Sequence, residues 1–356
     1  DIVTGHQTWP AMSSENVRSL DMWHAAINGR GRFYAVEEPA DLASAFTEII
    51  GKINEESAQL PEKILSGGGT TGYSVTQNNA GLFSTVYEAK KGWKGYVTAT
   101  SAREPEEYAC RTPEDPEKKC IKFESSVSGW TEGGEAKTTA DRLDALSSTD
   151  IEKRLILTWS DKDAKGATFI WDNLSTTQKS YLGKESTDTT ATVKEKGENI
   201  LKFIRGDMSL QGTTEEKPFR ERESRQGDIV NSEIWYTGAP ISSYGLSGYS
   251  DFSKTWKNRL PMLYVGGNDG MLHGFSAKNG EEKIAYVPRG VIPELKNLAD
   301  KDYEHQYYVD GSPMAGDVYD GTSWKTLLVG TLGAGGRGYF VLDVTNPEGF
   351  TSATPA

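Results

Sequence analysis

The sequence predicts a mainly β chain, a partial β-propeller built from small twisted sheets, and three observations carry that prediction. The stretch from Leu263 to Phe275, LYVGGNDGMLHGF, returns in altered form from Leu327 to Asp343 as LLVGTLGAGGRGYFVLD. Each copy is an apolar strand ending in Val-Gly, a glycine-rich reversal and a second apolar strand. Units of this kind form propeller blades, which bury their faces only against neighbouring blades. Val265 and Val329 lie 64 positions apart, longer than the common blade repeats, so an inserted connection is expected between them. Composition agrees: 38 glycines and 10% aromatic residues supply the tight turns and flat side chains that suit sheets.

The elements follow in order. Leu42, Phe46, Ile49, Ile50 and Ile53 recur at helical spacing on one apolar face, with Asp41 placed to cap it. LFSTVYEA and GWKGYVTAT read as two strands joined by a short turn, with Phe83, Val86, Trp93, Tyr96 and Val97 facing inward. Residues 103–145 are polar and rich in turn formers, and read as an insertion decorating one face. RLILTWSDKDAKGATFIWDNLS reads as a hairpin, and STDTTATVKEKGEN as a hydrophilic, mobile loop. Between the paired strands, VPRGVIPELKNL gives a proline-bounded turn and short helix, and HQYYVDGSP a strand running into a turn.

Charge and length narrow the function classes. The 39 basic and 51 acidic residues give a net charge of −12, which argues against a nucleic-acid partner. No apolar run approaches the roughly 18 residues of a membrane span. The two cysteines, Cys110 and Cys120, flank the polar, proline-containing loop CRTPEDPEKKC. They are placed either to bridge, which fits an oxidising periplasmic or extracellular compartment, or to remain free thiols. The opening DIVTGHQTWP has neither a basic n-region nor an apolar h-region, so the expectation is an internal piece of a longer secreted protein.

Several constellations invite a chemical reading. Asp161, Asp163 and Asp172 fall at positions one, three and twelve of a calcium-type loop with Gly166 at six. Lys165 occupies position five, where calcium needs an oxygen, so a hairpin turn is the simpler reading. Asn268-Asp269-Gly270 after Gly266 reads as a reversal in which Asn and Gly accept positive φ. Asp269 and the pair Asp310-Gly311 are expected to cap turns through side-chain to backbone bonds. Gly335 and Gly336, in GAGGRG before the strand that ends at Asp343, resemble a phosphate loop only superficially. Strands flank them, and phosphates need a following helix. His273 and His305 could approach each other, but no nucleophile stands in a recognisable setting, so core hydrogen bonding is the expectation.

The run GGNDGMLHGFSAKNGEEKIAYVPRGVIPELKNL, then YEHQYYVDGSP, then WKTLLVGTLGAGGRGYFVLDVTNP resembles the β-propeller of the PilC/PilY family of type IV pilus tip-associated biogenesis factors and adhesins. FIRGD at 203–207 and FRERESRQGDIVNSEIWYTGAP at 219–240 resemble the family's first well-marked blades, and DMWHAAINGRGRFYAVEEPADLASAFTEIIGKI at 21–53 its exit from a von Willebrand A-type domain. The resemblance divides the chain into the helical tail of an α/β A-type domain at 1–57 and the N-terminal part of a propeller of quinoprotein-like architecture at 58–356. It implies a non-enzymatic pilus-tip protein that supports assembly, opposes retraction and mediates attachment. Implied partners are pilin subunits, including minor pilins at the tip, and a surface or host receptor. The implied location is the cell surface or outer membrane after export through the periplasm.

Metal chemistry is expected elsewhere in the family's proteins. The Asp-x-Ser-x-Ser signature of an A-type metal site is absent; Asp251-Phe252-Ser253-Lys254-Thr255 is its nearest approach. The family's calcium loop belongs to later blades, so no cofactor is expected in this segment and calcium is expected in the longer parent. Quinoprotein dehydrogenases are the enzymatic alternative and a structural envelope scaffold the third. Against the enzyme stand Ser276 for the docking Asp of the quinoprotein blade signature, Asn279 for its Thr and Tyr286 near the place of its Trp. Cys110 and Cys120 also lack the adjacency of the quinoprotein cofactor disulfide.

Overall fold

The computed structural model describes Ala45 and residues 64–74, 79–89, 92–101, 106–109, 119–122, 127–183 and 189–350. The chain divides into two compact units, 1–61 and 62–356. Of the first, only Ala45 is described, as buried and helical. The expected A-type tail and the rest of its helix lie outside the described residues, as does Cys110.

In the second unit β1 (Ile64–Ser74), β2 (Asn79–Glu88), β3 (Lys94–Ser101) and β6 (Val127–Ser128) form one antiparallel sheet. Between β3 and β6, β4 (Glu106–Ala109) and β5 (Lys119–Lys122) pair as a hairpin, with Cys120 opposite Tyr108. After β6 come a small hairpin of β7 (Thr131–Glu132) and β8 (Glu135–Ala136), α1 (Thr139–Asp144) and α2 (Ser148–Lys153). Thr138 begins α1 with a capping box shared with Asp141. The polar reading of 103–145 fails at its end: Trp130, Ala140 and Leu143 are buried, while Glu132 and Glu135 between them stay exposed.

The central sheet has six strands in the order β10 (Lys165–Thr168), β9 (Ile156–Ser160), β14 (Glu282–Val287), β13 (Leu272–Ser276), β12 (Met262–Gly266) and β11 (Trp235–Thr237). β11 to β14 make a four-stranded antiparallel meander, the form of a propeller blade. β9 adds itself to β14 in parallel, so the upstream hairpin widens the blade. A third, three-stranded sheet runs β15 (Met314–Tyr319), β16 (Trp324–Thr331), β17 (Tyr339–Asp343). Among the described residues no sheet closes on itself.

β12 and β13 are buried along their whole length, which explains why both read as near-continuous apolar runs rather than alternating ones. On one face Met262, Tyr264, Leu272 and Ile284 meet Val291, Ile292, Leu295 and Leu298 of the 3-10 helix Arg289–Ala299. The same core takes Leu201, Phe203 and Ile204 from α4 (Thr190–Arg205). On the other face Leu263, Val265 and Phe275 meet Phe83, Val97, Trp130 and Ile229. Each such side chain contributes about 1.5–3 kcal/mol by leaving water.

α4 overturns the loop expected at STDTTATVKEKGEN. Thr189 caps its start by accepting from the Thr192 amide, and Gly206 ends it at φ 111°. The polar residues occupy its outer side, while the apolar triplet near its end holds it to the core. α3 (Thr176–Gly183) packs against it at Gly183 and Gly197. Asp251–Thr255 lies inside α5 (Tyr249–Trp256), where Asp251 pairs with Lys254, an arrangement unlike a metal loop. No helix among the described residues is long and apolar enough to cross a membrane.

Candidate functional site

The chemistry-bearing residues gather where β12 ends and the segment Tyr308–Gly311 passes. Tyr308, Val309 and Asp310 are buried. A side chain at Gly266 would strike the Val309 carbonyl, at Gly311 the Thr331 hydroxyl, and at Gly335 the Tyr308 carbonyl. Those three glycines therefore let one strand of chain lace together the ends of two sheets. Asp310 locks the lacing by accepting from the Asn231 amide at 3.1 Å and its Nδ2 at 2.7 Å. Gly336 sits at φ 148° in the next reversal, and Asp343 accepts from the backbone and hydroxyl of Thr345 at 3.1 and 2.6 Å.

In the β12–β13 reversal only Gly270 takes a positive φ, 91°. Asn268 does not, and the expected conformational role is replaced by a bonding one. Its Nδ2 donates to Asp228 at 2.6 Å and its Oδ1 accepts from the Tyr308 amide at 3.1 Å. Asp269 turns inward and accepts from the Gly227 amide at 2.9 Å.

His273 is fully buried and held on both sides, by Asp269 at 3.0 Å on Nε2 and Glu282 at 2.7 Å on Nδ1. Glu282 in turn accepts two bonds from Arg154, at 2.7 and 2.9 Å. Burial alone would lower the His273 pKa, but the two carboxylates outweigh it and push it up to about 9. Burial opposes ionisation of Glu282 as well, yet Arg154 and His273 pull it down to about 2. The four charges form one continuous ionic chain, Arg154–Glu282–His273–Asp269. With both ring nitrogens engaged, His273 has no lone pair to offer a metal.

His305 belongs to a second group. Its Nε2 meets Asp228 at 2.9 Å and its ring stacks on Trp93 at 3.7 Å between centroids. Trp93 stands at φ 60° in the β2–β3 turn, a conformation a bulky residue rarely adopts. The two histidines thus each have their own carboxylate rather than each other.

Asp161, Asp163 and Asp172 do not converge. Asp161 accepts from Arg289 at 2.6 Å, and Lys162 reaches the Asp172 carbonyl at 3.0 Å. The Asp161 carboxylate that calcium would need is thus taken by a guanidinium. Among the described residues no three His, Cys, Asp or Glu are placed to hold a metal ion.

Sequence reasoning missed Arg154, Glu282, Asp228 and the arginines of FRERESRQGD. Arg222 lies over the Phe203 ring at 3.9 Å, Arg220 over Tyr303 at 4.1 Å, and Arg225 donates to the Gly206 carbonyl at 2.9 Å. A run of charge ordinarily marks a solvated face, and only the tertiary fold reveals these as partly buried.

Residues 226–355 match the family described as the PilY1 beta-propeller domain. Type IV pilus biogenesis factor PilY1 of Pseudomonas aeruginosa strain PAO1 is 32% identical over 98% of this chain and 28% of its own length. A PilY1 homolog of Xylella fastidiosa is 47% identical over 42% of this chain and 13% of that protein. The crystal structure of the Pseudomonas aeruginosa PilY1 C-terminal domain shows 40% identity, covering 32% of this chain and 23% of that one, at a TM-score of 0.26. The chain spans little more than a quarter of the length of the Pseudomonas relative. The ordered blade motifs, the matched propeller model over 226–355 and the similarity to PilY1 along 98% of the chain together support the PilC/PilY family of type IV pilus proteins for it.

Proposed function

We propose that this chain is part of a non-enzymatic protein of the type IV pilus tip that supports assembly, opposes retraction and mediates attachment. The observation that carries the reading is the likeness to a type IV pilus biogenesis factor along 98% of the chain. The interior chemistry supports a structural use of the titratable groups, since His273, Asp269 and Glu282 are spent on one another. Minor pilins are the proposed partners, with a surface or host receptor beyond them. The proposed location is the cell surface, reached through the periplasm. Calcium binding is proposed for the longer parent outside this segment.

Contact surfaces are available on loops and sheet faces. Between β11 and α5, Ile241, Tyr244 and Leu246 are exposed, the first almost entirely. Replacing the native gene product with one lacking this segment tests the role. Surface pilin is sheared and counted in a retracting strain and in one unable to retract. Loss in the first with recovery in the second supports opposition to retraction; unchanged piliation and adhesion in both would refute the proposal. Oxidation is part of the same reading, with Cys110 bridged to Cys120. Intact mass should rise by two hydrogens on reduction, and an unchanged mass would show free thiols.

A further inference from the structure

Arg220, Arg222, Arg225, Gln226, Trp93 and Tyr303 border a cavity of about 20 Å³ that opens beside the β2–β3 turn. That is room for one or two water-sized bodies. From its charge and its unsatisfied donors we infer that this cavity binds a carboxylate, a site that meets the ionic chain around His273 only at Asp269.

The charge balance is the first ground. Among the described residues none of the three guanidiniums has a carboxylate side chain as a hydrogen-bond partner. Arg220 donates to the Leu298 carbonyl, Arg222 to those of Phe203 and Asp207, and Arg225 to those of Leu143, Asp144 and Gly206. The two carboxylates on the cavity wall are already engaged. Asp228 serves His305 and Asn268, and Asp269 serves His273 and the Gly227 amide. Asp228, Asp269 and Asp144 act on these guanidiniums only from beyond hydrogen-bond range. Clustered, partly buried cations without a bonded counter-charge are costly, and a bound anion lowers that cost.

The second ground is a pair of orphaned donors. Arg222 Nε and Gln226 Nε2 are both buried and have no acceptor. The amide orientation of Gln226 follows from its neighbour. Thr139 Oγ1 accepts from the Val97 amide at 2.8 Å and donates to Gln226 Oε1 at 2.7 Å, which leaves Nε2 over. Buried donors in folded proteins nearly always have acceptors, so a specific unpaired pair calls for one. A carboxylate supplies two coplanar oxygens and one negative charge, which match two N–H groups and a cationic wall. A tetrahedral dianion of four oxygens exceeds the space.

The test is calorimetric melting of the full 356-residue chain in sodium formate or acetate, against sodium chloride and sodium sulfate at the same ionic strength. The expected result is a saturable rise in Tm with formate and acetate alone. Arg222→Lys keeps the charge but loses Nε, and Gln226→Met keeps the volume but loses the amide. Each should weaken the half-saturating concentration by about tenfold, as the loss of one charge-assisted bond does. Blocked aspartate, acetylated and amidated, separates the sources: saturation by it as well as by acetate assigns the site to an acidic side chain, and by acetate alone to a free small acid. Equal responses to chloride, sulfate and formate, or saturation unchanged in both variants, would overturn the inference and leave a cavity that holds water.

Discussion

At the scale of single residues, the ionic chain through His273 ties stability to pH. Its folded pKa of about 9 lies above the ordinary 6.5. The stabilisation is therefore complete below about pH 6.5 and is lost as pH rises through 9. Glu282 acts in the opposite direction: depressed to about 2, it stabilises above the ordinary glutamate range and is lost only as pH falls toward 2. Unfolding free energies from urea titration should be highest near pH 5–6 and decline toward pH 9.5, by roughly 3 kcal/mol for the histidine. His273→Gln should flatten that alkaline decline, and an unaltered slope would assign it to other groups. Arg154→Met leaves Glu282 as a buried carboxylate short of its cation and should cost about 3–5 kcal/mol. Adding Glu282→Gln should recover part of that loss, since the two are in contact.

Among elements, the contact between α3 and α4 depends on two small residues. A methyl on Gly197 would land within the Trp171 ring, and one on Gly183 against the Val193 carbonyl. Gly197→Ala should therefore destabilise by about 1–3 kcal/mol despite alanine's better helix propensity. A gain in Tm would show that the ring yields freely. This pairing also shows what a sequence conceals. The reversal between Val265 and Leu272 was legible because both flanking strands are continuously apolar and the glycines punctuate them. α4 was not, because its first two turns carry mostly Thr, Lys and Glu around Ala191 and Val193, and its apolar triplet falls near its end. Likewise Arg222 and Gln226 sit in a run whose charges suggest solvent, and burial there is decided by Phe203 and Tyr303 from distant segments. Propensity and periodicity are local, whereas these placements are set by partners far along the chain.

For the whole molecule, the sheet of β15 to β17 leaves one face open. Met314, Val329 and Val341 stand in register across it, beside Tyr339, which is 77% exposed. An apolar row of this kind is uncommon on a free surface. The chain on its own should bind an apolar dye, and Val329→Lys with Val341→Lys should reduce that fluorescence severalfold without shifting the far-ultraviolet circular dichroism. Unchanged dye binding would point to the loop bearing Ile241 and Leu246 instead. The parallel seam of β9 on β14 adds a matter of timing. Thr158 finds the carbonyl of Val287 across 129 positions, so a chain emerging from its N-terminus presents β9 with an unmade edge long before the matching strand arrives. Contacts of such sequence separation form slowly, and until they do the exposed edge is open to wrong pairings. In a chain that folds as it emerges from its N-terminus, the seam of β9 on β14 is thus the last join of the blade to form.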